Sequence, residues 1–379
     1  MDLDHRFPAI SDLRERARAR LPRFVWDYLD SATGNEAAAT RNEVALDAVL
    51  FRPDILFAKP DFDLSTRFLG RDYAMPVGIA PVGMSGLIWP GAEVALARLA
   101  AKRKIAYTLS TVATQRPEAV GPKTDGAGWF QLYPPRDPKI RKDMLRRIAD
   151  AGFEALVLTV DVPFPSRRER QRRGGLTHPP TLSPRILAQC AAHPAWSLAT
   201  AMAGLPRLAF IEDYTGKSGA LSSTGHVGYL IRTAPTWDYL HALRDLWPGP
   251  FVVKGVLSPE HAVGLQAAGV DAVWVSNHGG RQFEGAPASL DALVQVRAAV
   301  GPDYPLIFDS GVRGGLDVLR ALALGADFVF LGRAFHYGLA ALGPVDGPRH
   351  VLDILEQDIK ANLGQLGLSG FSGLSERRA

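Results

Sequence analysis

Short apolar runs bounded by turn residues recur along this chain with helical patterns between them, as expected of buried parallel strands in a βα series. Eight such runs stand at 76–80 (PVGIA), 106–109 (AYTL), 129–132 (WFQL), 155–160 (ALVLTV), 251–253 (FVV), 272–275 (AVWV), 306–308 (LIF) and 328–331 (FVFL). Three of them follow a common phrase: Ala151-Gly152-Phe153-Glu154, Ala268-Gly269-Val270-Asp271 and Gly325-Ala326-Asp327. A helix that ends at glycine and then turns into a strand accounts for each, because glycine takes the left-handed cap conformation freely. The pattern predicts an α/β fold, a (β/α)8 TIM barrel.

Spacing locates what lies outside the barrel. Most strand-to-strand intervals are 21 to 34 residues, whereas the one from 155 to 251 is 96. The chain therefore reads as a single domain of 379 residues: an N-terminal helical segment (1–75), a barrel (76–340) carrying a long insertion after strand 4 (about 165–235), and a C-terminal helical segment (341–379). An insertion there emerges at the C-terminal face, where barrel active sites lie. Within it, 182–210 mixes Ile186, Leu187, Trp196, Leu198, Met202, Leu205 and Leu208 with Arg185, His193 and Arg207. Periodicity leaves two readings of this stretch open, a lid packed on the barrel or an amphipathic element lying on a membrane.

Composition narrows the class. With 47% hydrophobic and 22% charged residues the chain supports a large core, which excludes disorder. A formal charge of +4 suits an anionic ligand or membrane surface and argues against nucleic-acid binding. One cysteine, Cys190, excludes an internal disulfide and a cysteine-held metal cluster. The first residues, Met1-Asp2-Leu3-Asp4-His5-Arg6, do not read as a secretory signal, and no run of 18 apolar residues suggests a spanning helix. The expected location is cytoplasmic, or peripheral on the cytoplasmic face of the inner membrane. The basic run 167–173 lacks interleaved aromatics. One member, Arg168, is expected to turn inward while the others form a solvated or lipid-facing edge. Gly216-Lys217-Ser218 lacks the upstream glycine of a P-loop, and no Gly-x-Gly-x-x-Gly opens a helix after a strand.

The C-terminal ends of the strands carry polar residues beyond what a barrel core needs. The strand-end positions are Pro81-Val82-Gly83 after strand 1, then Ser110, Gln131 with Tyr133, Thr159 with Asp161, Lys254, Ser276 through Arg281, Asp309 through Gly314, and Gly332-Arg333, with the polar residues from strand 2 onward. After strands 7 and 8, the usual phosphate position, Gly311, Gly314 and Gly332 allow close backbone approach, and Arg313 and Arg333 supply charge. A phosphate-bearing ligand is the first inference. Lys254 suits a Schiff-base amine, a cation facing an electron-rich cofactor atom, or a structural partner of Asp309. His278, two residues past a strand and followed by two glycines, is the candidate general base, and Asp161 the carboxylate to set against it. Arg168 and Arg281 would clamp a carboxylate.

At Ser276-Asn277-His278-Gly279-Gly280-Arg281-Gln282, with Leu158-Thr159-Val160-Asp161, Phe130-Gln131-Leu132-Tyr133, Val253-Lys254-Gly255 and Asp309-Ser310-Gly311-Val312-Arg313, the sequence resembles the FMN-dependent L-2-hydroxy-acid dehydrogenases and oxidases. That family includes glycolate oxidase, L-lactate dehydrogenase and mandelate dehydrogenase. Trp89-Pro90, His193 through Leu198 and Leu243 through Pro248 are most similar to its bacterial membrane-associated mandelate dehydrogenases.

The resemblance implies FMN contacts from Pro81, Val82, Gly83, Ser110, Gln131, Thr159, Lys254, Ser276, Asp309, Gly311, Arg313, Gly332 and Arg333. It implies substrate contacts from Tyr28, Tyr133, Arg168, His278 and Arg281, with His278 as base, Asp161 its partner, and Tyr133 and Arg281 in the catalytic set. It also implies a quinone or other electron acceptor, peripheral membrane contact and a homotetramer. The base takes either the hydroxyl proton, with hydride transfer, or the C2 proton, leaving a carbanion. Val112 stands where several small-acid oxidases carry tryptophan, which favours mandelate or another aromatic acid, although lactate dehydrogenases also carry valine there. Gly83, where oxidases often have alanine, favours a carrier over oxygen. Gly174-Gly175 and 216–228 depart from most relatives. The competing readings are a lactate or glycolate-type oxidase and a flavin-free Schiff-base aldolase using Lys254.

Overall fold

The computed structural model of the chain describes residues 2–175, 183–215 and 233–379. The 216–228 departure, with its Gly216-Lys217-Ser218, lies outside the described residues. Eight parallel strands close into a barrel: β1 (Val77–Ile79), β2 (Ala106–Ser110), β3 (Gly128–Leu132), β4 (Phe153–Thr159), β5 (Phe251–Val256), β6 (Ala272–Val275), β7 (Leu306–Phe308) and β8 (Phe328–Leu331). Neighbours in sequence are neighbours in the barrel, and β8 pairs with β1 to complete the ring. Each apolar run found in the sequence is one of these strands. β4 starts two residues earlier than the run and β5 continues three residues beyond it, each extension ending on a buried apolar side chain, Phe153 and Val256, across one partly exposed residue.

Side chains alternate along the strands, as the period of two requires. Ala106, Trp129, Val157, Val252, Trp274, Ile307 and Phe330 pack inside the barrel, while Ile79, Phe130, Leu158, Val253 and Val275 pack outward against the helices. Glycine is needed at 78 because a Cβ there would lie 2.4 Å from the Phe330 ring. The Trp274 and Phe330 rings, 4.2 Å apart, fill the middle of the barrel.

The N-terminal segment is not helical throughout. Helices span Leu3–Arg6, Ile10–Arg20, Arg23–Asp30 and Ala37–Asp47, but Thr66–Phe68 and Arg71–Tyr73 form an antiparallel hairpin. Its two-residue turn places Leu69 (φ 46) and Gly70 (φ 85) in the left-handed region, the backbone that suits the twist of a tight hairpin. Phe68 and Tyr73 each stand 5.1 Å from the Phe328 ring, so the hairpin plugs the N-terminal end of the barrel. At the other end, the Arg23–Asp30 helix is tied down through Asp30. That buried carboxylate accepts from Arg14 (2.8 Å), Arg170 (2.8 Å) and Tyr337 (2.7 Å). Burial alone would favour its neutral form, but these donors outweigh it and hold the carboxyl below the usual carboxylate range.

Arg170 corrects the reading of the basic run. Its guanidinium also pairs with Glu36 at 2.7 Å, so this member anchors the start of the insertion instead of facing solvent or lipid. Beyond it the insertion contains helices Pro184–Ala192, Pro194–Ala203 and Ala209–Thr215. Trp196 is buried and donates to the Leu87 carbonyl, and Phe210 packs on Phe130, whereas Leu187, Leu198, Met202 and Leu205 are exposed. The stretch therefore packs on the barrel and also presents an apolar outer face. Helix Asp346–Gln365 packs against Arg333–Leu342 and Gly315–Ala323.

The ring packing inside the barrel makes a stability prediction. Gly78→Ala is expected to cost about 1–3 kcal/mol by overpacking, read from chemical denaturation midpoints. Adding Phe330→Leu, which removes the contacted ring, recovers part of that loss.

Candidate active site

The alternation that builds the core also builds the site. Because inward positions recur every second residue, the residue two beyond a core side chain faces inward one layer higher, at the C-terminal mouth. Gly78, Thr108, Trp129, Val157, Val252, Trp274, Ile307 and Phe330 are thus followed by Ala80, Ser110, Gln131, Thr159, Lys254, Ser276, Asp309 and Gly332. Strand register sets Ser110 beside Gln131 and Thr159 beside Lys254.

These residues floor a cavity of about 690 Å³, within the usual size range for small-molecule sites. It is lined by Tyr28, Pro81, Val82, Gly83, Ser110, Gln131, Tyr133, Thr159, Arg168, Lys254, His278, Arg281, Asp309, Gly311, Arg313, Gly332 and Arg333. Of the expected site residues, Asp161, Ser276 and Gly314 do not line it; Gly314 instead opens the helix Gly315–Ala323 beside Asp358. Asp161 and Ser276 stand behind the wall, the first against His278 and the second against Lys254.

The floor is polar and only partly satisfied. Lys254 is buried, 2.7 Å from the Asp309 carboxylate, and donates to Ser276 at 2.6 Å. The salt bridge occupies the amine that a Schiff base would need, leaving a fixed cation. Ser110 donates to the Gln131 carbonyl oxygen at 2.8 Å, which leaves the Gln131 amide nitrogen and the Thr159 hydroxyl buried without partners among the described residues. Buried polar atoms left unpaired are costly unless a ligand meets them. One amide donor, one hydroxyl and one ammonium on the cavity floor fit the heteroatom edge of the flavin that the resemblance implies. At the far end Gly332 leaves room beside Val82, whose methyl would lie 3.3 Å from an added Cβ, and Gly311 (φ 96) lies close to Asn42. Arg313 and Arg333 flank these glycines, the pairing of backbone access and cation that a phosphate requires.

His278 sits in the left-handed region (φ 58), and its backbone N–H donates to Ser276 at 3.0 Å. Its Nδ1 is 3.1 Å from both carboxylate oxygens of Asp161, so a proton on Nδ1 leaves Nε2 as the basic nitrogen. Burial pushes the imidazole below the ordinary histidine value, more than Asp161 raises it. Asp161 is itself held low: burial opposes its ionisation, but the His278 contact and Lys254 outweigh that. The loop is fixed by a reciprocal pair of buried amides that sequence reasoning missed. Asn277 donates to Asn42 at 2.7 Å, and Asn42 donates back at 2.9 Å. Nothing in the local pattern around Asn42 signals a partner 235 residues away.

Two arginines join the N-terminal segment to the mouth. The Arg23–Asp30 helix ends with unsatisfied carbonyls, as every helix does. Arg281 donates to the Tyr28 carbonyl (2.8 Å) and the Ser31 carbonyl (3.1 Å), and Arg333 to the Ser31 (3.0 Å) and Gly279 (3.1 Å) carbonyls. Arg281 also lies over the Tyr28 ring at 5.5 Å, and the Tyr28 hydroxyl donates to the Gly83 carbonyl at 2.8 Å. Arg168 does turn inward, held by Ser166 and Gln282, two further residues missed in the sequence. Among the described residues Arg168, Arg281 and Arg333 have no carboxylate partner. Burial, then the neighbouring Arg168 and Arg333, pushes Arg281 down to about 9, and burial lowers Arg333 as well. A bound anion would relieve both effects.

Comparison with known proteins gives the same picture. The family described as FMN-dependent dehydrogenase matches residues 17–378. An L-lactate dehydrogenase of Pseudomonas paraeruginosa is 38% identical over 97% of this chain and 96% of its own length. One from Xanthomonas euvesicatoria is 39% identical over 97% and 95%. Among solved structures, the monotopic membrane protein (S)-mandelate dehydrogenase superposes with TM-score 0.91 at 36% identity, covering 98% of each chain. Mandelate oxidase with benzoyl-formic acid gives 0.81 at 32%, also covering 98% of each.

The electrostatics of the histidine pair are directly measurable. By NMR of histidine-labelled protein, His278 is expected to titrate below the ordinary value of about 6.5. Asp161→Asn removes the raising influence and should lower it further, and a rise on that substitution would contradict the assignment.

Proposed function

The chain belongs to the FMN-dependent dehydrogenase family, and on that premise we propose that it oxidises an (S)-2-hydroxy acid, mandelate or a related aromatic acid, to the 2-oxo acid. FMN is its cofactor, and a small 2-hydroxy acid is the substrate class of the family. The carrying observation is a neutral-favoured His278, backed by an Asp161 held ionised, in a cavity it shares with three arginines that have no carboxylate partner among the described residues. A phosphate binder has no use for such a base.

FMN, when bound, supplies a two-electron acceptor. Gln131, Thr159, Ser110 and Lys254 would hold its ring, with Pro81, Val82 and Gly83 on one side. Gly311, Arg313, Gly332 and Arg333 would hold its phosphate, while Ser276 and Asp309 keep Lys254 in place as a fixed cation against developing negative charge. Arg168 and Arg281 bind the substrate carboxylate, and Tyr28 and Tyr133 orient its other oxygen atoms. His278 takes the proton on Nε2, and Asp161 stabilises the imidazolium that results.

The aromatic substrate is supported by the apolar wall of Val112, Met84 and Val162 in the same cavity and by the mandelate-acting structural neighbours. L-lactate is the second reading, favoured by relatives that carry that name. For the acceptor we favour a quinone or other carrier over the oxygen of a glycolate-type oxidase. A Cβ at Gly83 would press on Val112 at 2.7 Å, and position 83 is where oxidases often carry that methyl. No described helix is long and apolar enough to cross a membrane. The exposed Leu187, Leu198, Met202 and Leu205 instead suit peripheral contact on the cytoplasmic face of the inner membrane. The neighbouring monotopic enzyme is consistent with such contact, and the homotetramer is carried by the family resemblance alone.

Anaerobic addition of substrate to the purified flavoprotein tests the reading. Mandelate is expected to bleach the flavin band faster than lactate, and a quinone to restore it faster than oxygen. Bleaching by lactate alone would replace the aromatic substrate. His278→Ala should retain flavin while slowing bleaching by roughly 10²–10⁴-fold, and unchanged bleaching would remove His278 as base.

A further inference from the structure

Between β5 and β6 the register slips by one residue: Lys254 pairs with Trp274, and Val256 with Val275. Gly255 is the extra residue, a bulge with φ 101. Bulges re-aim side chains and concentrate beside active sites. Here the bulge separates inward-facing Lys254 from the strand that continues to Val256. Left-handed backbone alone favours glycine, but a second constraint acts at this position. A Cβ on residue 255 would lie 2.5 Å from both Cβ and Cγ of Asp161 and 2.9 Å from its Oδ2. Real side chains do not approach that closely, so the Asp161 carboxyl occupies space that exists only because residue 255 has no side chain.

We propose that Gly255 is a positioning residue for the reaction, whose bare Cα is the seat that holds both oxygens of Asp161 against Nδ1 of His278. This rests on the reading of His278 and Asp161 as the acid–base pair. The geometry leaves Asp161 little alternative. Its backbone follows Val160, whose N–H donates to the Lys254 carbonyl at 3.0 Å, so the end of β4 is tied to the bulge from the other side. The carboxyl is thereby held between Gly255 and the imidazole.

The cations acting on His278 are Lys254 on β5 and Arg168 in the insertion; Arg281 on its own loop lines the same cavity, and Asp309 after β7 is taken up by Lys254. Asp161 is the one anion hydrogen-bonded to the imidazole among the described residues. Displacing it therefore removes the stabilisation of the protonated ring while leaving the cations in place. The base would then lose its proton at lower pH and accept one less readily during turnover.

The test compares four flavin-loaded enzymes: wild type, Gly255→Ala, Asp161→Gly and the double variant, with flavin content measured in each. The readouts are the plateau of kcat/KM for a 2-hydroxy acid that bleaches the flavin and the position of the acid limb of its pH profile. Asp161→Gly removes all three atoms that the new methyl would strike. Gly255→Ala is expected to retain flavin, lower the plateau roughly 10–100-fold and move the acid limb to lower pH, as Asp161→Gly does. Added to Asp161→Gly it should change the plateau by no more than about twofold. An unmoved limb, or the same fold-loss in both backgrounds, would overturn the proposal, because strain at the bulge would then be the whole effect. If Gly255→Ala does not fold, recovery of folded flavoprotein on adding Asp161→Gly supports the seat, and failure to recover overturns it. If Asp161→Gly itself matches wild type in plateau and limb, the acid–base reading fails instead.

Discussion

A closed parallel barrel allows its strands only one choice at each position, inward or outward, and both the core and the floor of the site follow from that alternation. Outward residues such as Leu158 and Val253 join the shell of helices, and inward residues such as Trp274 and Phe330 fill the barrel. Where the filling stops, the same inward phase continues as Ser110, Gln131, Thr159, Lys254, Ser276 and Asp309. Core and site are successive layers of one stack. Rigidity in the lower layer therefore fixes the geometry of the upper one, which catalytic positioning requires.

The second constraint is electrostatic. Placing Arg281 and Arg333 in a buried mouth costs solvation, and the structure offsets part of that cost with backbone carbonyls at the end of the Arg23–Asp30 helix. One set of contacts thus docks the N-terminal segment, carries Tyr28 to the cavity and keeps two cations dry. Because neither arginine has a carboxylate partner among the described residues, the mouth retains unneutralised positive charge, as suits a site for a phosphate at one end and a carboxylate at the other. Asp30, paired with Arg14 and Arg170, ties the same helix to the start of the insertion.

Much of this was legible in the sequence because the signals are local. Apolar runs of three to six residues mark the strands, and polar residues at the strand ends from strand 2 onward mark the mouth. What was not legible depends on contacts between distant residues. The hairpin at 66–73 is too short for its alternation to stand out, and its burial depends on Phe328 far along the chain. Arg170 looked like its exposed neighbours because its partners, Asp30 and Glu36, lie more than 130 positions away. The Asn42–Asn277 pair and the seat at Gly255 were hidden for the same reason. Tyr28 came only from the family resemblance, since a tyrosine on a short N-terminal helix carries no signal of its own.

The central claim is that inward phase, and not mere nearness to a strand end, decides which residues serve the cofactor. The dissociation constant of FMN from apoprotein reconstituted with Thr159→Val, set against that of its outward neighbour Leu158→Val, tests it most directly. Thr159→Val is expected to weaken FMN binding with little change in unfolding, whereas Leu158→Val lowers stability by about 1 kcal/mol and leaves the FMN affinity unchanged. Wild-type affinity in Thr159→Val, together with weakened binding in Leu158→Val, would contradict it.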